Sequence, residues 1–188
     1  MHGGLEQRDR DDVLVLFSNG SLRYLVATNV AARGIDIDEL DAVINFELPH
    51  DPNTYVHRIG RTGRAGVEGV AINLIDGNER RRLSEYDERL AEAPQTPISS
   101  LSQDFDAPES APMRTVAIQG GKKDKLRPGD IVGALTNDFG VPNDTIGLIT
   151  IRDRIAFVAI ERRYAQKALQ GIKQGQIKAK EFGAFLLR

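Results

Sequence analysis

Pro94, Pro97, Pro108 and Pro112 fall in one stretch, Ala91 to Pro112, whose other residues are mostly Ser, Ala, Gln, Asp and Glu. Proline fixes φ and removes a backbone donor, and the polar neighbours bury little surface, so neither a helix interior nor a central strand runs through it. The chain is therefore expected to fold as two modules, residues 1–92 and 113–188, joined by a linker at 93–112. The alternative for Ala91–Pro112 is an extended strap packed on the first module. Charge divides at the same place. Residues 113–188 carry 14 Lys+Arg against 7 Asp+Glu, a net of +7, and residues 1–112 carry 11 against 20, a net of −9. All seven lysines lie in the second module, which points that module at a polyanion.

Other counts exclude whole classes. The sequence contains no cysteine, which rules out disulfides and cysteine-ligated zinc and is compatible with a reducing cytoplasm. Its three histidines are too scattered for a metal site, so no metal ligand is assigned. No apolar run is long enough to span a bilayer, and Met1-His2-Gly3-Gly4 lacks the basic and apolar regions of a signal peptide. A cytoplasmic protein without a membrane partner is the expectation.

The first module alternates helix and strand. Leu5 to Phe17 reads as a helix stopped by Asn19-Gly20, and Leu22–Ala27 and Ala42–Phe46 as buried parallel strands. Thr54–Ile59 reads as a helix, Val67–Ile75 as a strand, and Glu79–Leu90 as a charged helix. This rhythm predicts an α/β fold with a parallel sheet and functional loops at strand ends. The second module, from Thr115, reads β-α-β-β-α-β, the split βαβ plan of an α+β RNA-recognition motif. Its strands are Val116–Ile118, Ile146–Ile151, Ile155–Ile160 and Ile177–Leu187. Pro128 opens the first helix and Ala165, Ala168, Leu169 and Ile172 mark the second.

Arg58, Arg61 and Arg64 recur every three residues in His57-Arg58-Ile59-Gly60-Arg61-Thr62-Gly63-Arg64-Ala65-Gly66, a turn jointed by glycines that let another surface approach. Guanidinium groups suit phosphate, and in nucleotide hydrolysis an arginine stabilises charge on the transferred phosphoryl group. Upstream lies Leu25-Val26-Ala27-Thr28-Asn29-Val30-Ala31-Ala32-Arg33-Gly34-Ile35-Asp36, and the chain opens on His2-Gly3-Gly4-Leu5-Glu6-Gln7-Arg8-Asp9-Arg10. In order and spacing these three stretches resemble the H-G-x-x-x-Q-x-x-R element and motifs V and VI of DEAD-box RNA helicases. Gly4 and Asn29 depart from the aspartates usual at their positions.

The resemblance implies a partial RecA-like helicase C-terminal domain, entered inside its sheet. It implies that Arg61 and Arg64 are arginine fingers toward the ATP γ-phosphate, and that Gly34 and Asp36 contact ATP through backbone and ribose. It further implies that Gln7, Arg33 and His57 couple nucleotide state to domain closure, and that Arg10 and Thr28 meet RNA phosphates. The sequence holds no G-x-x-x-x-G-K-[ST] phosphate loop and no D-E-A-D stretch. ATP and Mg²⁺ would thus be bound mainly by an N-terminal domain that is missing here, and this chain alone is expected not to hydrolyse ATP.

The second module lacks the aromatics on which an ordinary RNA-recognition motif stacks bases, offering Phe157 alone on its third strand. It offers charge instead: Lys122, Lys123, Lys125 and Arg127 in the loop Gly120–Asp130, and Lys178 and Lys180 on one face of the last strand. Placed after a DEAD-box core, this loop resembles the C-terminal RNA-binding domain of one bacterial branch of the family. That resemblance implies recognition of a 23S ribosomal RNA hairpin and a partnership with the large-subunit precursor, hence a ribosome-assembly helicase. A non-catalytic RNA-binding adaptor is the alternative, while a DNA helicase is disfavoured by the motif wording and the tail.

Overall fold

A computed structural model describes residues 1–28, 40–63, 68–86, 90, 92–102 and 109–187. The chain divides into two compact units, residues 36–107 and residues 1–35 with 108–188. The division expected at 93–112 is thus met only in part, because residues 1–35 go with the tail.

The unit of residues 36–107 is built on a βαβ crossover. Strand β1 (Ala42–Asn45) pairs in parallel with β2 (Val70–Asn73), and helix α2 (Pro52–Ile59) lies between them in sequence. Asp51 starts α2 by accepting from the Thr54 backbone N–H at 2.8 Å and the Thr54 hydroxyl at 2.9 Å, with Pro52 in the first turn. One short 3₁₀ turn (Glu79–Arg82) runs into helix α3 (Leu83–Tyr86); of the charged helix expected from Glu79 to Leu90, residues 87–89 lie outside the described residues. Asp76 accounts for the irregular start. Its carboxylate accepts from the backbones of Asn78 and Glu79, and Glu79 in turn accepts from those of Leu48 and Asp76. Local side-chain bonds of this kind compete with regular helix. Leu48, Tyr55, Leu83 and Tyr86 form the core, with Tyr55 and Tyr86 edge to face at 5.6 Å between ring centroids. Ile44, Phe46, Val70 and Ile72 remain exposed.

In the other unit, β3 (Met113–Ile118), β4 (Ile146–Ile151), β5 (Ala156–Glu161) and β6 (Ala184–Leu186) form an antiparallel sheet. Their order, β4-β5-β3-β6, is that of the split βαβ plan. Alternation along β3 and β5 sends Val116, Ile118, Val158 and Ile160 to one face, against α4 (Pro128–Gly133) and α5 (Arg162–Gln174). Ile131, Leu135, Leu169 and Ile172 complete that core. The last strand is shorter than the expected Ile177–Leu187. Residues 177–180 form a tight turn instead, with Lys178 and Ala179 both at positive φ (55° and 59°).

Helix α1 (Gln7–Ser18) lies over the opposite face of this sheet, with Val15 beside Ala117 and Phe157. Asn19 and Gly20 end it as expected, Gly20 at φ +76°. Residues 22–27, read as a strand, join no ladder among the described residues. Polar side chains hold this region instead. Asn19 and Ser21 bond the Thr115 hydroxyl at 2.7 and 2.8 Å, and Arg23 pairs with Glu109. The Arg23 hydrogen bond and charge keep the Glu109 carboxyl below its ordinary range.

Candidate nucleic-acid interface

Two constellations carry the chemistry, one in each unit. In the first, α2 ends at Gly60 and the arginine turn follows. Leu40 donates its N–H to the Arg61 carbonyl at 2.9 Å, and the Thr62 hydroxyl donates to the Leu40 carbonyl. Gly63 is left-handed (φ +68°), a conformation that a side chain disfavours. Arg61 is therefore presented on backbone pinned to the approach to β1 rather than on a free loop.

Arg58 serves this frame. Its guanidinium donates to Asn45 Oδ1 at 2.7 Å and to the Glu47 carbonyl at 3.0 Å. Asn45 donates to Asn73 at 2.9 Å, and Asn73 to the Tyr55 hydroxyl at 3.2 Å. This polar chain ties α2 to both strands, and partial burial lowers the Arg58 pKa from its ordinary value while leaving it a cation. Sequence reasoning missed Asn45 and Asn73. Asparagine in a short apolar strand was the available signal, since a buried amide needs a partner.

Asp51 links this geometry to pH. Hydrogen bonds from Thr54 hold its carboxyl below the ordinary value of 3.8. A depressed folded-state pKa contributes stability above the ordinary value and loses it as pH falls through the folded one. Acid is therefore expected to fray α2 and the arginine turn below about pH 4. Asp51→Asn keeps an acceptor and should lessen that acid dependence, which circular dichroism during acid titration of both chains would measure.

Of the other residues expected near nucleotide, Arg33, Gly34, Asp36 and Arg64 lie outside the described residues. His57 is exposed on α2. Gln7 donates to Asp11 at 2.7 Å within α1, and Thr28 is exposed with its N–H bonded to the Met1 carbonyl at 3.1 Å. Arg10 keeps a buried Nε with no hydrogen-bond partner. Among the described residues there is no group of three or more His, Asp or Glu side chains that could hold a metal ion.

The second constellation is the lysine loop, and it is rigidly built. Gly121 lies so close to the β4–β5 turn that an added Cβ would stand 2.2 Å from the Arg152 carbonyl oxygen. The closeness lets Lys122 and Lys123 donate their N–H groups to the Arg152 and Asp153 carbonyls, each at 2.9 Å. Asp124 accepts from the Gly121 N–H at 3.0 Å, and Leu126 is buried. Asp130 then accepts from the Arg127 N–H at 2.9 Å and starts α4. Exposed side chains of Lys122, Lys123, Lys125 and Arg127 thus stand on a fixed backbone.

Lys178 and Lys180 belong to this cluster by a route different from the one expected. They sit on the turn of residues 177–180, not on a strand, because the mutual backbone hydrogen bonds of Ile177 and Lys180 (2.9 and 3.1 Å) reverse the chain. The turn brings Lys178 Nζ to 3.3 Å from the Lys125 carbonyl and 3.6 Å from Asp130 Oδ2. Among the described residues, the non-glycine residues at positive φ are Lys125, Lys178 and Ala179. Each such residue costs roughly 1–2 kcal/mol, and all three meet here.

Phe157 is placed otherwise. Its ring is 1% exposed, with Arg152 5.2 Å above its centroid and Val15 packed nearby. A base-stacking aromatic needs an open face, so in this arrangement Phe157 serves packing instead of RNA contact.

Comparison with known proteins finds two domain families along the chain. Residues 1–66 match the helicase conserved C-terminal domain, and residues 115–184 match the DbpA RNA binding domain. Together these matches define a helicase C-terminal segment joined to an RNA-binding module. Over its full length the chain is 47% identical to the ATP-dependent RNA helicase DbpA of Escherichia coli (strain K12), spanning 41% of that protein. It is 40% identical over 96% of its length to the ATP-dependent RNA helicase DbpA of Bacillus subtilis (strain 168), spanning 42% of it. Eukaryotic initiation factor 4A of Drosophila melanogaster is 48% identical over 47% of this chain and 22% of that one. The chain thus resembles the C-terminal part of a DbpA-like DEAD-box RNA helicase. It spans about two-fifths of the length of the two bacterial relatives.

Proposed function

We propose that this chain is the C-terminal portion of an ATP-dependent RNA helicase, in which residues 1–92 complete an ATPase and residues 113–188 deliver it to a 23S ribosomal RNA hairpin. The observation that carries this reading is the stapled lysine loop. Four basic side chains stand exposed on a backbone fixed by hydrogen bonds to the β4–β5 turn, a surface suited to phosphates in a set geometry. Arg61 and Arg64 would meet the γ-phosphate, Gly34 and Asp36 the rest of ATP, and Gln7, Arg33 and His57 would couple closure to Arg10 and Thr28 on RNA. Phosphate-loop and Mg²⁺ ligands would come from a further domain. The exposed Ile44, Phe46, Val70 and Ile72 support this reading, since a parallel sheet is normally covered on both faces. Work on the large-subunit precursor in the cytoplasm is the role proposed.

Binding of the full chain to large-subunit ribosomal RNA hairpins and to scrambled versions tests the targeting role. Preference for one ribosomal hairpin at salt that abolishes general binding is the expected result, and equal binding would refute it. Lys122→Ala combined with Lys123→Ala should lower affinity for every RNA. It should also flatten the plot of log K against log salt by about 1.5 to 2, if each lysine meets one phosphate.

A further inference from the structure

We propose that Lys178 is the specificity-determining residue of the RNA-binding unit, while Lys122 and Lys123 attract any RNA alike. This inference rests on the RNA-targeting reading above and assigns its discrimination to one side chain. Its basis is the difference in how the lysines are held. Lys123 has only a weak exposed partner, Asp153 at 4.0 Å, and the Lys122 side chain is exposed. Mobile ammonium groups neutralise phosphates wherever these lie, giving salt-sensitive affinity without choice.

Lys178 is held at both ends. Its backbone is confined to the left-handed region within the two-residue turn, and its ammonium reaches the Lys125 carbonyl and the Asp130 carboxylate. Asp130 is itself fixed by the Arg127 N–H, and the Lys125 carbonyl by its own left-handed residue. An ammonium has three N–H donors; one meets the Lys125 carbonyl at 3.3 Å, and the Asp130 carboxylate at 3.6 Å attracts the charge without a hydrogen bond. The remaining donors are left for a ligand, and the side chain remains 52% exposed. A donor fixed in position and direction rewards an acceptor at one place only. The matching chemistry is a strong RNA acceptor, either the O6 and N7 edge of guanine or a phosphate oxygen in fixed hairpin geometry.

Lys178→Gly is the informative variant, because glycine suits φ +55° better than lysine and so removes the ammonium without endangering the turn. Wild type, Lys178→Gly and the Lys122→Ala/Lys123→Ala double variant of the full chain would be titrated with the tightest-binding large-subunit ribosomal RNA hairpin and its scrambled form, across a salt series. Lys178→Gly should lower the ratio of the two affinities about tenfold, with little change in the salt slope for scrambled RNA. The double variant should show the reverse, a flatter slope with the ratio kept. Substituting 7-deazaguanine in the hairpin separates the two acceptors. A loss in wild type that is absent in Lys178→Gly assigns the N7 edge, or O6 when 2-aminopurine replaces guanine, and no loss with either base assigns phosphate. Wild-type preference that survives Lys178→Gly overturns this inference alone. Absence of preference in wild type overturns the targeting role and this inference with it.

Discussion

Arg61→Ala and Arg64→Ala, each made in a full-length helicase carrying this segment, are expected to lower the maximal RNA-stimulated ATPase rate by about a thousandfold or more. The affinity for ATP should change far less. A guanidinium that meets charge only as it develops on the transferred phosphoryl group contributes in the transition state, and removing it lowers kcat rather than raising KM. Steady-state kinetics with single-turnover controls decides the matter. Parallel loss of ATP binding with an unchanged maximal rate would make these arginines ground-state clamps. The present chain on its own should show no RNA-stimulated turnover, because its sequence has no phosphate loop. Arg58→Ala should differ in kind from both. It removes the donor to Asn45 and Glu47 and breaks the polar chain to Asn73 and Tyr55, so lower thermal stability is the expected signature.

Gly121→Ala is expected to destabilise the RNA-binding unit by about 3 kcal/mol, the upper end for forcing an extra carbon into a packed site. The new Cβ would lie 2.2 Å from the Arg152 carbonyl oxygen and 2.7 Å from Asp153 backbone atoms, so main chain must move. That movement would break the Lys122 and Lys123 hydrogen bonds to the β4–β5 turn. The midpoint of thermal unfolding should fall by more than about 10 °C, and RNA binding should weaken even where the fold survives. Gly129→Ala is the control. Nothing lies within 4 Å of its added Cβ, and alanine suits a helix better than glycine, so stability should hold or rise slightly. Equal stability of the two variants would refute the stapled-loop account.

Much of this was legible in the residues. Proline and glycine mark boundaries because they act on the backbone locally, so the helix start at Pro128 and the stop at Asn19-Gly20 stand where the chain announces them, whereas the helix read from Thr54 begins two residues earlier, at Pro52. Strands β3, β4 and β5 were legible as short apolar, β-branched runs, and β3 and β5 are buried on both faces. The H-G-x-x-x-Q-x-x-R stretch and the arginine turn carried the family with no geometry at all, since they are defined by residue types at fixed spacing.

Long-range neighbours were not legible. Residues 22–27 have strand-like composition, yet a strand exists only beside a partner, and here the Arg23 ion pair with Glu109, with Asn19 and Ser21 bonded to Thr115 just before the segment, takes the place of a ladder. Phe157 reads as a stacking aromatic on its strand, and only packing shows its ring covered. Lys178 and Lys180 read as alternate residues of a strand because lysine and alanine carry no turn signal; left-handed φ at both turn positions is normally a role for Asn or Gly. By itself the sequence determined the family, the two charge regimes and the arginines and lysines available for phosphate. Tertiary structure alone decided that Arg58 braces while Arg61 is presented, and that left-handed Lys125 meets the left-handed pair Lys178-Ala179. Hydrogen bonds across 53 residues of chain, such as Lys178 to Lys125, depend on the closed sheet and not on any local preference.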